Sequence, residues 1–531
     1  MKKACAMFLI STIVLMAVAF SGCAEMLLPE QLSVIEEEAF MNCVDITEVV
    51  IPDSVTTIGA KAFFGCTGLT EIVIPENVES IGDQAFANCG GDFLMLGYSG
   101  SAAEAYAASN GIQFVSLNVG SEGLEFTDID EETCYVSGYN GNGDSGTTVV
   151  IPRTYNNKTV TTIGDSAFFF CTGLTGVILP DSIQSIETEA FYYCSDLTSI
   201  TLPNSIQSIG ANAFSSCSGL TNFGIPAGVT SIGNRAFSGC SNLQAFTVEA
   251  GNPAYQSIDG VLFNAGATEL IQFPAAKPIT TYTVPASVTS IGDSAFSNCS
   301  AVSSVIIPDS VINLDGYIFY GSSSLTSVTL PNHLTAISNH IFMNCPNLTT
   351  VNIPSTVESI HYASFAGCSS LTGIVLPDGL KSILGSAFSG CSSLTDITIP
   401  ATVIRIDYGA FSECSSVEGI TVASGNTAYR SIDGVLFNAD ATELLQYPAG
   451  KTDSSYTVPA SVTSIANRSF MGCDGLSSIT IPSTVTSIGN ELVFYHCSNL
   501  TINGEPSSYA EDYANSNGIP FVAIDSTVSN R

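Results

Sequence analysis

The stretch Leu197–Cys217, LTSITLPNSIQSIGANAFSSC, returns in variant form at Leu220–Cys240, 23 residues further on, and the same spacing runs through most of the chain. A fixed period of this size leaves few folds open. Each copy is one supersecondary unit too small to bury its own apolar face, so the copies must stack into a solenoid. Within the unit, Leu197, Ile200 and Leu202 follow an L-x-x-I-x-L spacing that suits a short strand with one face buried. Pro203 ends that strand because it has no N–H to give to a ladder. Ile206 and Ile209 point two more aliphatics inward, and Gly210 is expected to allow a sharp turn. Ala213, Phe214 and Cys217 complete the apolar set on a short helical or irregular return.

The phenylalanine of the unit maps the whole chain. Phe40, Phe63 and Phe86 mark a first array; Phe168 to Phe237 and Phe296 to Phe411 mark a second at steps of 23, followed by Phe470 and Phe494. Twice the step lengthens to 59, and the inserted text is itself duplicated, at Gly251–Pro274 and Gly425–Pro448. Its apolar runs around Asn264–Gly266 predict a β-hairpin rung protruding from the scaffold, with Tyr255 and Tyr429 as possible contact residues on the protrusions. Two near-identical terminators, Gly100–Val115 and Ser507–Val522, contain a short helical pattern ending in Asn-Gly, a C-cap signal. They predict that each array is closed by a C-terminal cap.

The N-terminus reads as an export signal, with Lys2 and Lys3 ahead of an apolar run from Ala4 to Phe20. Its end, Phe20-Ser21-Gly22-Cys23, resembles the lipobox of bacterial lipoproteins, which implies lipidation at Cys23. An ordinary cleaved signal and an uncleaved anchor are the other readings of the same residues. The expected organisation is a signal peptide at 1–22, a first array with its cap at 23–117, a connecting segment and N-terminal cap at 118–146, and a second, longer array at 147–531. Asp and Glu outnumber Lys and Arg 48 to 13, a net charge of −35. That balance argues against nucleic acid or anionic lipid headgroups as partners, since both need basic patches.

The consensus I-x-I-P-x-S-V-x-S-I-G-x-x-A-F-x-x-C-x-x-L closely resembles the BspA-like class of leucine-rich repeat proteins. The resemblance covers almost the whole chain after the leader, including the VLFN rungs and both terminators. It implies an α/β repeat solenoid with parallel strands on the concave face. It also implies display on a bacterial surface, where several members act as adhesins that bind host or microbial proteins.

Chemistry finds little purchase in these residues. His333, His340, His361 and His496 fall at different repeat phases, and no catalytic or metal-binding motif is complete, so neither an enzyme nor a cofactor or metal is expected. Fourteen of the 17 cysteines share one repeat position, and at the remaining copy that position holds Ser322. A ladder of small buried thiols is the expectation, with disulfides between rungs or metal binding as alternatives. The strand residue between the inward aliphatics faces outward, giving a column that includes Ile178, Thr201, Thr329, Asn352, Val375, Thr398, Thr421 and Thr480. Strand propensity alone favours such residues, and a recognition surface for an extended protein or glycan is the functional reading. The chain is thus expected to be a lipid-anchored surface binding or adhesion protein. The alternative is a structural spacer with no specific ligand.

Overall fold

The computed structural model describes residues 25–29, 31–91, 93–141 and 146–524. The leader, Cys23 and part of the 138–146 loop therefore lie outside the described residues. The chain divides into two units. One holds the described residues within 1–141, 148–161 and 177–183; the other holds those within 142–147, 162–176 and 184–531.

In the larger unit the expected parallel-strand solenoid is present. The strand Asp396–Ile399 shows how a rung works: Ile397 and Ile399 are buried while Asp396 and Thr398 are exposed. Pro400 follows, and the chain turns into a second strand of only two residues, Arg405–Ile406. This second strand recurs in every standard rung as Ser-Ile or a variant. Ser185, Ser208 and Ser231 lie in parallel register, with Ile186, Ile209 and Ile232 beside them. The return segments are tight turns without helix. Asn212 and Ser216 take left-handed φ values of 54° and 63°. This aims the N–H groups of Phe214 and Ser216 at the carbonyls of Ala236 and Ser238 on the next rung, at 2.8 and 2.7 Å. Gly210 opens the expected turn, its carbonyl accepting from the Ala213 N–H at 3.3 Å, and it has a second purpose. A Cβ there would sit 2.5 Å from the Glu187 carbonyl carbon, so the glycine permits close approach of neighbouring rungs.

The core is a column of stacked rings. Phe168 to Phe237 and Phe296 to Phe411 pack successively with centroids 5.0–5.8 Å apart and near-parallel planes. Among the described residues no cysteine is in a disulfide. The Cys217 thiol donates to the Phe191 carbonyl at 3.1 Å, and Cys240, Cys345, Cys368, Cys391 and Cys414 repeat that bond to the carbonyl 26 residues earlier. Ser322 makes the same contact to Phe296 at 2.6 Å.

The two duplicated inserts are three-stranded antiparallel meanders. Tyr255–Ile258, Val261–Asn264 and Glu269–Gln272 form the first, and Tyr429–Ile432, Val435–Asn438 and Glu443–Gln446 the second. The third strand of each rejoins the ladder in parallel, on Ser290–Ile291 and Ser464–Ile465. They do not protrude as expected. Val261, Leu262 and Phe263, and likewise Val435, Leu436 and Phe437, are fully buried. Three consecutive apolar residues are costly in water, so the meander is drawn into the stack. Phe273 and Tyr447 then occupy the ring column, stacking on Phe296 and Phe470 at 4.9 and 5.2 Å.

The smaller unit repeats these rules over fewer rungs. Val34–Ile35, Thr57–Ile58 and Ser80–Ile81 pair in parallel, and Phe40, Phe63 and Phe86 stack at 5.0 and 5.2 Å. Helix α1, Ala102–Asn110, covers the last rung with Ala103 and Ala107, and ends at Gly111 with φ 65°. Leu124–Asp128 and Thr133–Tyr139 form an antiparallel hairpin. In the larger unit, helix α2, Tyr509–Asn517, ends in the same way at Gly518, with φ 67°. The two terminators thus fold as caps built on small residues that let a helix lie close to the final rung.

Candidate functional site

The outward column is open where the ladder is regular. Thr201, Thr329, Asn352, Val375, Thr398 and Thr421 are exposed, Val375 at 82%, while Thr480 is half-buried. Ile178 departs from the expectation. It is half-buried against Leu96, Leu117 and Val150, so it serves packing. The column is also segmented: it breaks at each meander, and again between Ser199–Thr201 and Asn222–Ile225 and between Thr350–Val351 and Asp396–Ile399. Among the described residues Asn222–Ile225 pairs only with Ala245–Val248, and Asp396–Ile399 only with Gly419–Val422, each a two-stranded sheet.

Tyr255 and Tyr429 have structural work. Their half-buried hydroxyls accept hydrogen bonds from the Ile232 and Ile406 N–H groups at 2.8 and 2.6 Å. Each phenol thereby continues a two-residue strand ladder that the meander would otherwise leave open. Burial raises both phenol pKa values, and the donated N–H bond offsets part of that rise. Asn426 fixes the entry to the second meander. Its side-chain amide donates to the carbonyls of Pro400 and Val403, and its oxygen accepts from the N–H groups of Ala428 and Tyr429, all within 3.0 Å.

Between this clamp and the edge of Gly419–Val422 lies an open cleft of about 780 Å³. Asp396, Glu418, Thr421, Val422 and Arg430 are among its lining residues. Asp396, Glu418 and Arg430 are exposed. Among the described residues Arg430 forms no ion pair, and Asp396 is held only by the Thr395 hydroxyl at 2.8 Å. The corresponding positions of the first copy carry Asn222, Gln244 and Gln256, all uncharged. There Gln256 is spent on its own meander, donating to the Asn264 and Ala265 carbonyls. One scaffold therefore appears twice, with charge placed at one copy only. Sequence reading missed this site, although aligning the two inserts with the rungs before them exposes all three substitutions. Among the described residues no group of three or more His, Cys, Asp or Glu side chains is placed to hold a metal ion.

The family model described as "BspA type Leucine rich repeat region (6 copies)" matches residues 9–107, 146–265, 272–368, 335–453 and 449–516, most of the chain. The chain belongs to the BspA-type leucine-rich repeat family. Solved structures similar to it include a leucine-rich repeat protein from Eubacterium ventriosum, 24% identical with a TM-score of 0.42, covering 56% of this chain and 94% of that one. A leucine-rich cell surface protein from Faecalibacterium prausnitzii is 28% identical with a TM-score of 0.34, covering 76% and 89%. A leucine-rich repeat protein from Bacteroides ovatus is 24% identical with a TM-score of 0.34, covering 72% and 98%. Among curated proteins, none matches the chain. Among the described residues no helix is long and apolar enough to cross a membrane.

Proposed function

We propose that this BspA-type protein is a non-catalytic adhesion protein, displayed at the cell surface and held there by lipid on Cys23. Its work is to bind an extracellular protein. The observation that carries the reading is the cleft at the second meander, where Asp396, Glu418 and Arg430 stand at positions that the first meander leaves neutral. A spacer needs no such difference between two copies of one scaffold. The strong negative charge keeps nucleic acid and anionic membranes away, and it favours partners with basic side chains.

Purified protein immobilised on beads tests the reading against extracellular-matrix proteins, mucosal glycans and bacterial cells. Saturable binding to a protein that weakens at least fivefold in D396N/E418Q/R430Q is expected. These are exposed substitutions that copy the first rung, so they spare the core. Absence of binding to every surface offered would favour the spacer. For the anchor, cells fed a fatty-acid label should label the wild-type protein and not C23A; equal labelling of the two would rule out lipidation at Cys23.

A further inference from the structure

Gly419–Val422 is an edge strand on the cleft. Among the described residues its only strand partner is Asp396–Ile399, with Thr398 opposite Thr421 and Ile399 opposite Val422. Ala423 donates its N–H towards that partner, to the Ile399 carbonyl at 2.9 Å, whereas Ile420 donates the other way, to the Gly434 carbonyl at 2.8 Å. Successive peptide groups of a strand alternate in direction, so the N–H and C=O of Val422 share the outward direction of Ile420. The meander turn Asp433-Gly434 meets the strand only at its start. Beyond it the Val422 groups face the cleft, and among the described residues no strand is paired with them, although the meander strand Tyr429–Ile432 runs along the far wall. In the first copy the Ser257 hydroxyl donates to the Phe246 carbonyl at 2.8 Å. Among the described residues the corresponding Ser431 makes no such bond to Ile420, which leaves a further acceptor on the second edge.

The side chains around this edge differ from the first copy in one consistent way. Gly419, where the first copy has Ala245, lies in register with Asp396 and leaves its carboxylate uncovered. Glu418 adds a second negative group, and Arg430 on the facing meander strand supplies an unpaired positive one. An unpaired strand edge with opposite charges on its two walls recognises a main chain and two side chains together.

We propose that the cleft binds an extended peptide segment of a partner protein as an added β-strand along Gly419–Val422. The segment carries a basic side chain towards Asp396 and Glu418 and an acidic one towards Arg430. Added strands take their affinity from main-chain hydrogen bonds and their specificity from alternate side chains. With the Ile420 N–H taken by Gly434, the open groups are the Ile420 carbonyl and the N–H and C=O of Val422, which match about 7–10 Å of extended peptide at ~3.3 Å per residue. This inference rests on the binding role proposed above and names the chemistry of its ligand.

The test is selection of a phage-displayed library of random twelve-residue peptides on the full chain, with the enriched peptides synthesised and measured by fluorescence anisotropy. Enriched sequences should pair a Lys or Arg with an Asp or Glu. Their affinity should fall at least tenfold against D396N/E418Q/R430Q and against V422P, which removes an outward N–H from an edge strand where proline is tolerated. Single N-methylation along the peptide supplies a readout that needs no protein variant: binding should be lost at alternate positions and kept between them. Failure to enrich any peptide, equal binding by the triple variant, or indifference to N-methylation at every position would overturn the proposal. So would a glycan that competes at this cleft in a peptide's place, or a dimer that V422P dissociates. Should beads still adhere while no peptide is selected, only this inference fails; loss of both removes the binding role as well.

Discussion

At the scale of single residues, the cysteine position shows how one side chain can serve two purposes. Its size suits a packed column, and its S–H supplies a second donor to a carbonyl that already accepts a backbone N–H, as Phe365 does from Cys368 at 3.1 Å. Ser322 keeps the donor and most of the size, and its Oγ accepts from the Cys299 N–H as well. Cys391→Ser is therefore expected to cost less than Cys391→Ala, which leaves the Phe365 carbonyl with the Cys368 N–H alone and opens a small void. About 1–2 kcal/mol is expected for the alanine, read from urea unfolding midpoints. Burial also pushes the Cys240, Cys345 and Cys414 thiols up to about 12 from an ordinary 9.0. A raised thiol pKa favours the protonated folded state, so this stabilisation is complete below pH 9 and is lost as pH rises towards 12. Denaturation midpoints measured from pH 8 to 11 should fall; a flat profile would contradict the burial. The position was legible in the sequence as small and inward. Its carbonyl partner was not, because that partner lies 26 residues away and is named only by the stacking.

Elements were read unevenly, and the reasons are geometric. The L-x-x-I-x-L strands were legible from their alternation, whereas a two-residue strand such as Ser208–Ile209 has no period to read. It exists because neighbouring copies hold it in register. The meanders were half legible. The apolar runs indicated strands, but their depth depended on which rung they would stack upon. Their tight turn lies at Asp259-Gly260 and Asp433-Gly434, with positive φ throughout. Adding a Cβ to Gly434 strains a φ of 82° and brings it within 3.0 Å of the Gly419 Cα. G434A should therefore lower stability by at least ~1 kcal/mol. Tyr429→Phe should cost about 1 kcal/mol by removing the acceptor for the Ile406 N–H. Hydrogen exchange would locate that loss, with faster exchange at Ile406 and little change on distant rungs.

For the whole molecule, stacking makes stability local and charge makes it global. Each rung touches its neighbours, so Phe365→Ala should destabilise by about 3–5 kcal/mol and speed hydrogen exchange first in the rungs of Phe342 and Phe388. Uniform acceleration from end to end would contradict a nearest-neighbour solenoid. A net charge of −35 repels itself in the folded chain, so the Tm should rise between low salt and 0.5 M NaCl as screening shortens that repulsion. A Tm that falls or stays constant would show that specific ion pairs outweigh it.

By itself the sequence determined the period, the inward residues, the caps and the kinship with a repeat family, because each of these is written in local spacing that every copy repeats. The tertiary structure decided what repetition cannot specify. It drew the VLFN runs into the core, turned Tyr255 and Tyr429 into strand clips, half-buried Ile178 in a packing role, and cut the outward column into separate sheets. One of those cuts left Gly419–Val422 as a free edge beside Asp396, Glu418 and Arg430. Whether an edge is paired, and which charges flank it, depends on neighbours that only stacking brings together.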